Sequence, residues 1–199
     1  MSFPPALSHR PAPLRRAVLA TVAALAAAPV VLGAAPAHAG PAGPEVPSTI
    51  DVVGDFKPYL VGHAVGWQVH TCVATETGYG WRFDGPDAVV YDDNGKALAD
   101  HKPGPRWIAR DDSSVVGAVV DRAVVSPTAI PWLLLRATPD PNGPADGRLS
   151  ATTHIQRIAT TGGLTPAASE CTAAAASVPE TRYVPYTADY VFWKAAGRS

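Results

Sequence analysis

From residue 50 onward the apolar positions form short runs that either alternate or stay continuous for a few residues, without the three-and-four spacing of an amphipathic helix. In "GWQVHTCV" (66–73), Trp67, Val69 and Thr71 take one face of a strand, and Gln68, His70 and Cys72 take the other. "AVVYDDNGKALAD" (88–100) holds two strand-like runs around Asn94-Gly95, a pair suited to a type I′ hairpin because both central residues need positive φ. "RWIARDDSSVVGAVV" (106–120) repeats the plan with Asp111–Ser113 as the turn. Val115, Val116, Val119 and Val120 predict a strand buried on both sides, and "IPWLLLRA" (130–137) is also too continuously apolar for a half-exposed strand. A long exposed loop is expected over 139–147, then strands over 148–160 and 181–193. Only "PAASECTAAAAS" (166–177) has helical composition. About eight to ten strands at this spacing predict a single all-β domain, an antiparallel β-sandwich or β-barrel.

The N-terminus reads differently. Arg10, Arg15 and Arg16 precede the apolar run Ala17–Ala28, and "APAHA" ends at Ala39. A basic start, a short apolar core and a small-x-small site describe a secretory signal peptide over 1–39, cleaved after Ala39. The run is too short and too alanine-rich for a bilayer span, so no membrane span is expected once it is removed. Residues 40–50, rich in proline and glycine, read as a disordered linker, and the folded domain is expected over 51–195. The leader holds three of the 16 basic residues and none of the 17 acids, so the exported chain has 13 against 17. That balance excludes a basic nucleic-acid footprint.

Cys72 and Cys171 both fall in the exported part, and in an oxidising compartment such a pair predicts a disulfide.

"GWQVHTC", "WRFDGPDAVVYD", "GPRW", "SSVVGAVV", "IPWLLLRA", "HIQRIATTGG", the later Cys171 and the closing "VPYTADYVFW" occur in an order that resembles the secreted bacterial and fungal family called domain of unknown function 3455. The resemblance spans about residues 51–193. It implies a secreted all-β domain without an established activity, and so brings no catalytic residues with it.

Chemistry must then be sought among the residues themselves. There is no G-x-S-x-G elbow and no G-x-G-x-x-G opening a helix. Asp92-Asp93 and Asp111-Asp112 sit in hairpin turns, where Asp side chains bond nearby backbone. His63, His70, His101 and His154 show no metal-ligand spacing, and the loop Asp140–Asp146 lacks the later glutamate of a calcium loop, so neither metal nor cofactor is expected.

The aromatic residues carry more. Trp67, Trp81, Trp107, Trp132 and Trp193 accompany six tyrosines; Tyr186, Tyr190 and Phe192 can share one strand face, as core or as a ligand platform. "DHKPGPRW" (100–107) sets His101 and Trp107 on either side of a proline-stiffened corner, which serves either as a plug for the barrel end or as the rim of a site. The candidate ligand-binding residues are therefore His101, Trp107, His154 and Tyr186, for a small molecule or a glycan. The alternative is a hydrolase or metal-dependent enzyme that assembles distant His and Asp residues, in which case His101 and His154 should meet Asp84, Asp100 or Asp189 in one cleft.

Overall fold

The computed structural model describes residues 43–197, so the leader read in 1–39 lies outside the described residues. Eight strands form one closed antiparallel barrel, each paired with the next in sequence and the last with the first. They are β1 (Phe56–Thr75), β2 (Gly78–Tyr91), β3 (Ala97–Lys102), β4 (Arg106–Ala109), β5 (Ser114–Ala123), β6 (Trp132–Pro139), β7 (His154–Gly162) and β8 (Thr181–Ala195). One short helix, α1 (Ala173–Ser177), is capped by the Thr172 side chain, which accepts from Ala175 N–H. Of the two expected all-β forms, the barrel is the one found. Closure runs from Phe56↔Ala195 to Thr71↔Thr181. Every strand thereby has two neighbours, while residues 78–87 of β2 pair with β1 alone.

The two polar turns share one geometry, which differs from the expected type I′ hairpin. Asp92 N–H donates to Lys96 O and Gly95 N–H to Asp92 O; Ala109 N–H donates to Ser113 O and Asp112 N–H to Ala109 O. Each is a three-residue loop whose last residue is left-handed, Gly95 at φ 76° and Asp112 at φ 65°. Asn94 does not have the positive φ that type I′ demands, because Asp92 Oδ1 accepts from both Asn94 and Lys96 N–H and sets the turn.

Two apolar layers explain the strand patterns. Inside the barrel, Ala64, Val90, Leu98, Val115, Leu135 and Ile155 pack with Trp107, Tyr190 and Phe192. Outside β6, β7 and β8, a second cluster joins Ile50, Leu134, Ile158, Val191 and Trp193, with Val46 and Val52 against it. This is why "WLLL" is apolar on both faces: Leu135 points in, and Leu134 is covered by the N-terminal segment. Residues 46–50 differ from the disordered linker expected of them, since Ile50 is fully buried and its carbonyl accepts from Gln156 Nε2 at 2.7 Å. The valines of β5 differ too. Val115 is buried, but Val119 and Val120 are about half exposed, Val119 because it lines the open cavity and Val120 because it is the residue that the bulge leaves without a partner.

The two barrel ends are unlike. At one, the 140–153 connection folds inward, and Leu149 and Thr152 are buried. The strand expected from residue 148 begins only at His154 because these residues form the plug, tied by Leu149 N–H to Ser113 Oγ at 3.0 Å and by Tyr59 Oη with Thr152 Oγ1 at 2.6 Å. At the other end, bulges leave Asp84, Val120 and the Ala159-Thr160 pair unmatched by their partner strands. Bulges bend and twist strands, and here they border the open end. Cys72 and Cys171 form the expected disulfide across 99 residues. It fastens the β7–β8 connection to β1, a closure of a loop that contributes about 4–5 kcal/mol in the chain-entropy account.

Left-handed backbone costs a non-glycine residue about 1 kcal/mol, less for Asp than for most. Asp112 is exposed, so Asp112→Gly should raise stability by about 0.5–1 kcal/mol, the same turn position already being glycine at residue 95. Urea unfolding of the two proteins measures it, and a destabilised variant would show that the Asp112 side chain supports the turn.

Candidate functional site

A cavity of about 700 Å³ occupies the open end of the barrel. Its inner wall comes from strand positions that face inward: Gln68 and His70 of β1, His101 of β3, Trp107 of β4, Leu133 and Leu135 of β6, Arg157 of β7 and Tyr190 of β8. Its rim comes from the Gly104-Pro105 corner, from Ile130-Pro131 and from Leu164-Thr165. The last of these belongs to the connection held by the disulfide.

The "DHKPGPRW" corner turns out to be a hairpin. His101 and Lys102 end β3, Arg106 and Trp107 begin β4, and Pro103–Pro105 form the turn, with Gly104 at φ 132°. His101 pairs directly with Trp107, and their rings stack at 4.2 Å between centroids, 13° from parallel. Tyr190 stands edge-on to both, at 4.9 Å and 5.1 Å, and Phe192 edge-on to Trp107 at 6.2 Å. Gly117 of β5 makes room for this stack: a Cβ there would meet Trp107 Cζ3 at 3.0 Å and Leu135 Cδ2 at 2.8 Å. Trp107 is thus both a fully buried core residue and part of the cavity wall.

His101 is buried, and its Nδ1–H donates to the Arg106 carbonyl at 3.0 Å, which leaves Nε2 as an acceptor. Burial holds its pKa down to about 3, with the nearby Arg157 guanidinium acting in the same direction. His101 is therefore neutral. His70 donates from Nδ1 to Gln68 O at 3.3 Å and accepts from the Thr165 hydroxyl at 3.3 Å, and burial lowers its pKa too. Arg157 donates from Nε (3.1 Å) and Nη2 (2.8 Å) to Pro131 O. Asp84, the bulged residue of β2, accepts from Arg82 Nε at 2.7 Å and from the Thr71 hydroxyl at 2.5 Å, and both contacts lower its pKa. Two nitrogens of wall residues, Gln68 Nε2 and Trp107 Nε1, are closed off from solvent and have no acceptor among the described residues.

Of the four candidate residues, the cavity brings His101 and Trp107 together. Tyr186 is buried behind them, its hydroxyl 3.4 Å from that of Tyr190, and burial raises its pKa. Its strand also borders a separate surface groove beside Trp67 and Val65. His154 lies elsewhere, edge-on to Phe56 at 4.6 Å in a cleft near the plugged end. Asp84 shares the cavity with His101, whereas Asp100 pairs with Arg110 at 2.8 Å and Asp189 with His63 at 2.7 Å. His63 also binds Asp93 at 2.8 Å, and these two carboxylates raise its pKa. Among the described residues, no three His, Cys, Asp or Glu side chains gather as a metal site. Asp140 instead accepts from Asn142 N–H within its own turn. Sequence reasoning missed Arg157, although its spacing of two from Ile155 placed it on the inner face.

A family model described as protein of unknown function, DUF3455, matches residues 54–194. The chain belongs to this family. The DUF3455 match runs from just before β1 almost to the end of β8, so it takes in every strand of the barrel and both cysteines. No curated protein and no solved structure matches this DUF3455 chain.

His101 makes the fold sensitive to acid. The unfolded chain protonates it near pH 6.5 and the folded chain only near pH 3, so stability is full above about 6.5 and falls between those values by up to about 1.4 kcal/mol per pH unit. His63, with a raised pKa, works in the opposite sense: its stabilisation is present below pH 6.5 and is lost as pH rises through its folded value, weakened by exposure. Urea unfolding of the wild type and His101→Gln from pH 7 to 4 should give a shallower acid slope in the variant. Parallel curves would show that His101 takes up its proton without unfolding.

Proposed function

We propose that the protein is an exported binding protein that takes a small organic molecule into the open end of its barrel. The open cavity of about 700 Å³ carries this reading, and one contrast in its wall accompanies it. In the outer cluster, Trp193 Nε1 donates to Gln156 Oε1 at 2.9 Å and Gln156 Nε2 donates to Ile50 O, so the donor nitrogens of a buried Gln and a buried Trp both have an acceptor. On the cavity wall the same two residue types, Gln68 and Trp107, are equally buried and both donors lack an acceptor. Leaving such groups unpaired costs about 1–3 kcal/mol each, and both belong to residues of the cavity wall, although the two nitrogens are shut off from solvent and a bound molecule reaches them only if those side chains shift. The size of the cavity, its aromatic and leucine walls and its few polar groups match the usual make-up of a small-molecule site. An eight-stranded barrel is just wide enough to hold one such ligand. His101, Trp107 and Gln68 are the residues proposed to touch it; the enclosed position of the first two favours a small molecule over a glycan chain.

A thermal-shift screen of small apolar and amphipathic compounds tests the reading. A binder at about a hundred times its Kd adds about 2.7 kcal/mol and raises Tm. Val119→Trp, at a half-exposed position on the cavity lining, should abolish those shifts while the variant remains folded. Shifts that survive this substitution would place the binding elsewhere.

Export rests on the leader-like sequence of residues 1–39, and it is supported by the disulfide and by the absence of a long apolar helix among the described residues. N-terminal sequencing of the protein from culture medium should begin at Gly40. Recovery of the uncut chain from the cell interior would overturn it.

A further inference from the structure

We infer that the molecule held in the barrel is an anion, a small organic carboxylate whose acidic end meets the Arg157 guanidinium and whose apolar body lies along Trp107 and Leu133. This rests on the binding function proposed above and adds the charge and class of the ligand.

The inference begins from the charges on the cavity wall. Arg157 projects from the inner face of β7, next to Leu133 of β6 and Tyr190 of β8 in the strand registers. Nε and one N–H of Nη2 are spent on the Pro131 carbonyl, which fixes the plane of the guanidinium and leaves three N–H groups, one on Nη2 and two on Nη1, with the Tyr190 hydroxyl close enough to take one of them. Among the described residues no carboxylate lies within 4.0 Å of Arg157, although Arg82, Lys102 and Arg110 each have one and Arg182 has two. Arg122, at the rim, also has no acid partner among the described residues. The acid that does line the cavity, Asp84, is already neutralised by Arg82 and bonded to Thr71. His101 and His70 are neutral and add no charge. The wall thus carries cationic charge without an internal counter-ion.

The polar groups agree with the charge. A carboxylate is an acceptor only and meets the free N–H groups of Arg157, while the unpaired Gln68 Nε2 and Trp107 Nε1 lie closed off in the wall behind them and add no acceptor of their own. A ligand ammonium would face Arg157 in a partly enclosed space where charges interact more strongly than in water. Arginine is also the side chain whose planar fork matches a carboxylate, where lysine would give a point charge. The remaining wall, Trp107, Leu133, Leu135 and Tyr190, is apolar or aromatic and suits a hydrocarbon body. A volume of about 700 Å³ admits a body of two or more fused rings, within the range of drug-sized sites.

Three matched probes test it: 2-naphthoate, its methyl ester and 2-naphthylmethylamine, titrated into the ¹⁵N-labelled, disulfide-bonded protein while the Trp107 indole N–H resonance is followed. Naphthoate should bind about 10- to 100-fold more tightly than the ester, the usual gain from a charge-assisted hydrogen bond, and the amine more weakly still. Arg157→Met keeps the apolar stem and should bring the acid and ester affinities together; Arg157→Lys should keep part of the preference. If Arg157→Met fails to fold, salt replaces it: the wild-type preference for the acid should shrink as ionic strength rises, with ester binding unchanged. Equal affinities for acid and ester, or a preference for the amine, would overturn the anionic ligand and leave the binding function standing. A Trp107 resonance unmoved by all three probes would overturn both.

Discussion

Closure of β1 onto β8 is the constraint on which the rest of the structure depends. Once Phe56 is paired with Ala195 and Thr71 with Thr181, every strand has two neighbours and the circumference is fixed. The interior then has to be filled by alternate residues of eight strands. Half of it is. Ala64, Val90, Leu98, Val115 and Leu135 interlock there, and Leu149 closes the end from the 140–153 connection. Over the other half the inward positions are larger and more polar, and their strands carry bulges, so the wall stands back and a cavity remains. The same closure that gives every strand two neighbours therefore leaves a hollow reached from one end.

The strands were legible because their alternation is local. Gln68 and His70 were assigned to one face of β1 from spacing alone, and both line the cavity. What spacing does not carry is the partner layer. Leu134 and Val119 are equally apolar in sequence, yet one is covered by Ile50 and Val46 and the other is half exposed. The segment that makes the difference has the proline-rich composition of a linker, and its burial rests on a few side chains and on one bond from Gln156. The turns failed for a related reason. Asn94-Gly95 favours type I′ in isolation, but the Asp92 carboxylate, two residues upstream, bonds the turn backbone and selects a longer loop.

The site was legible in part. His101 and Trp107 were picked out by a two-proline corner, and the corner does hold them, though as a hairpin that stacks the two rings inside the barrel rather than as a mouth. His154 looked equivalent as a free histidine on a strand. It sits in a different cleft because it alternates with the inward Ile155 and Arg157 and so faces outward, against Phe56. Arg157 escaped notice for the opposite reason: a charged residue in "HIQRIATT" reads as surface, and its spacing from the inward Ile155 gains meaning only with the Pro131 carbonyl that receives it inside the barrel.

Stability and binding are divided between the two ends, but the division is not complete, because the stack of His101, Trp107 and Tyr190 belongs to both. Its outer rings touch the cavity, while Phe192 behind them continues into the packed half. Burial of His101 is thus a packing requirement with a chemical consequence: an imidazole held neutral by its surroundings and by Arg157 keeps a lone pair on Nε2 and adds no positive charge of its own. The cation in the wall is then Arg157, fixed in direction by Pro131. The disulfide completes the arrangement at long range. By tying Cys171 to Cys72 it holds Leu164 and Thr165 over the mouth, where Thr165 donates to His70, so the covalent link that stabilises the fold also sets one lip of the cavity.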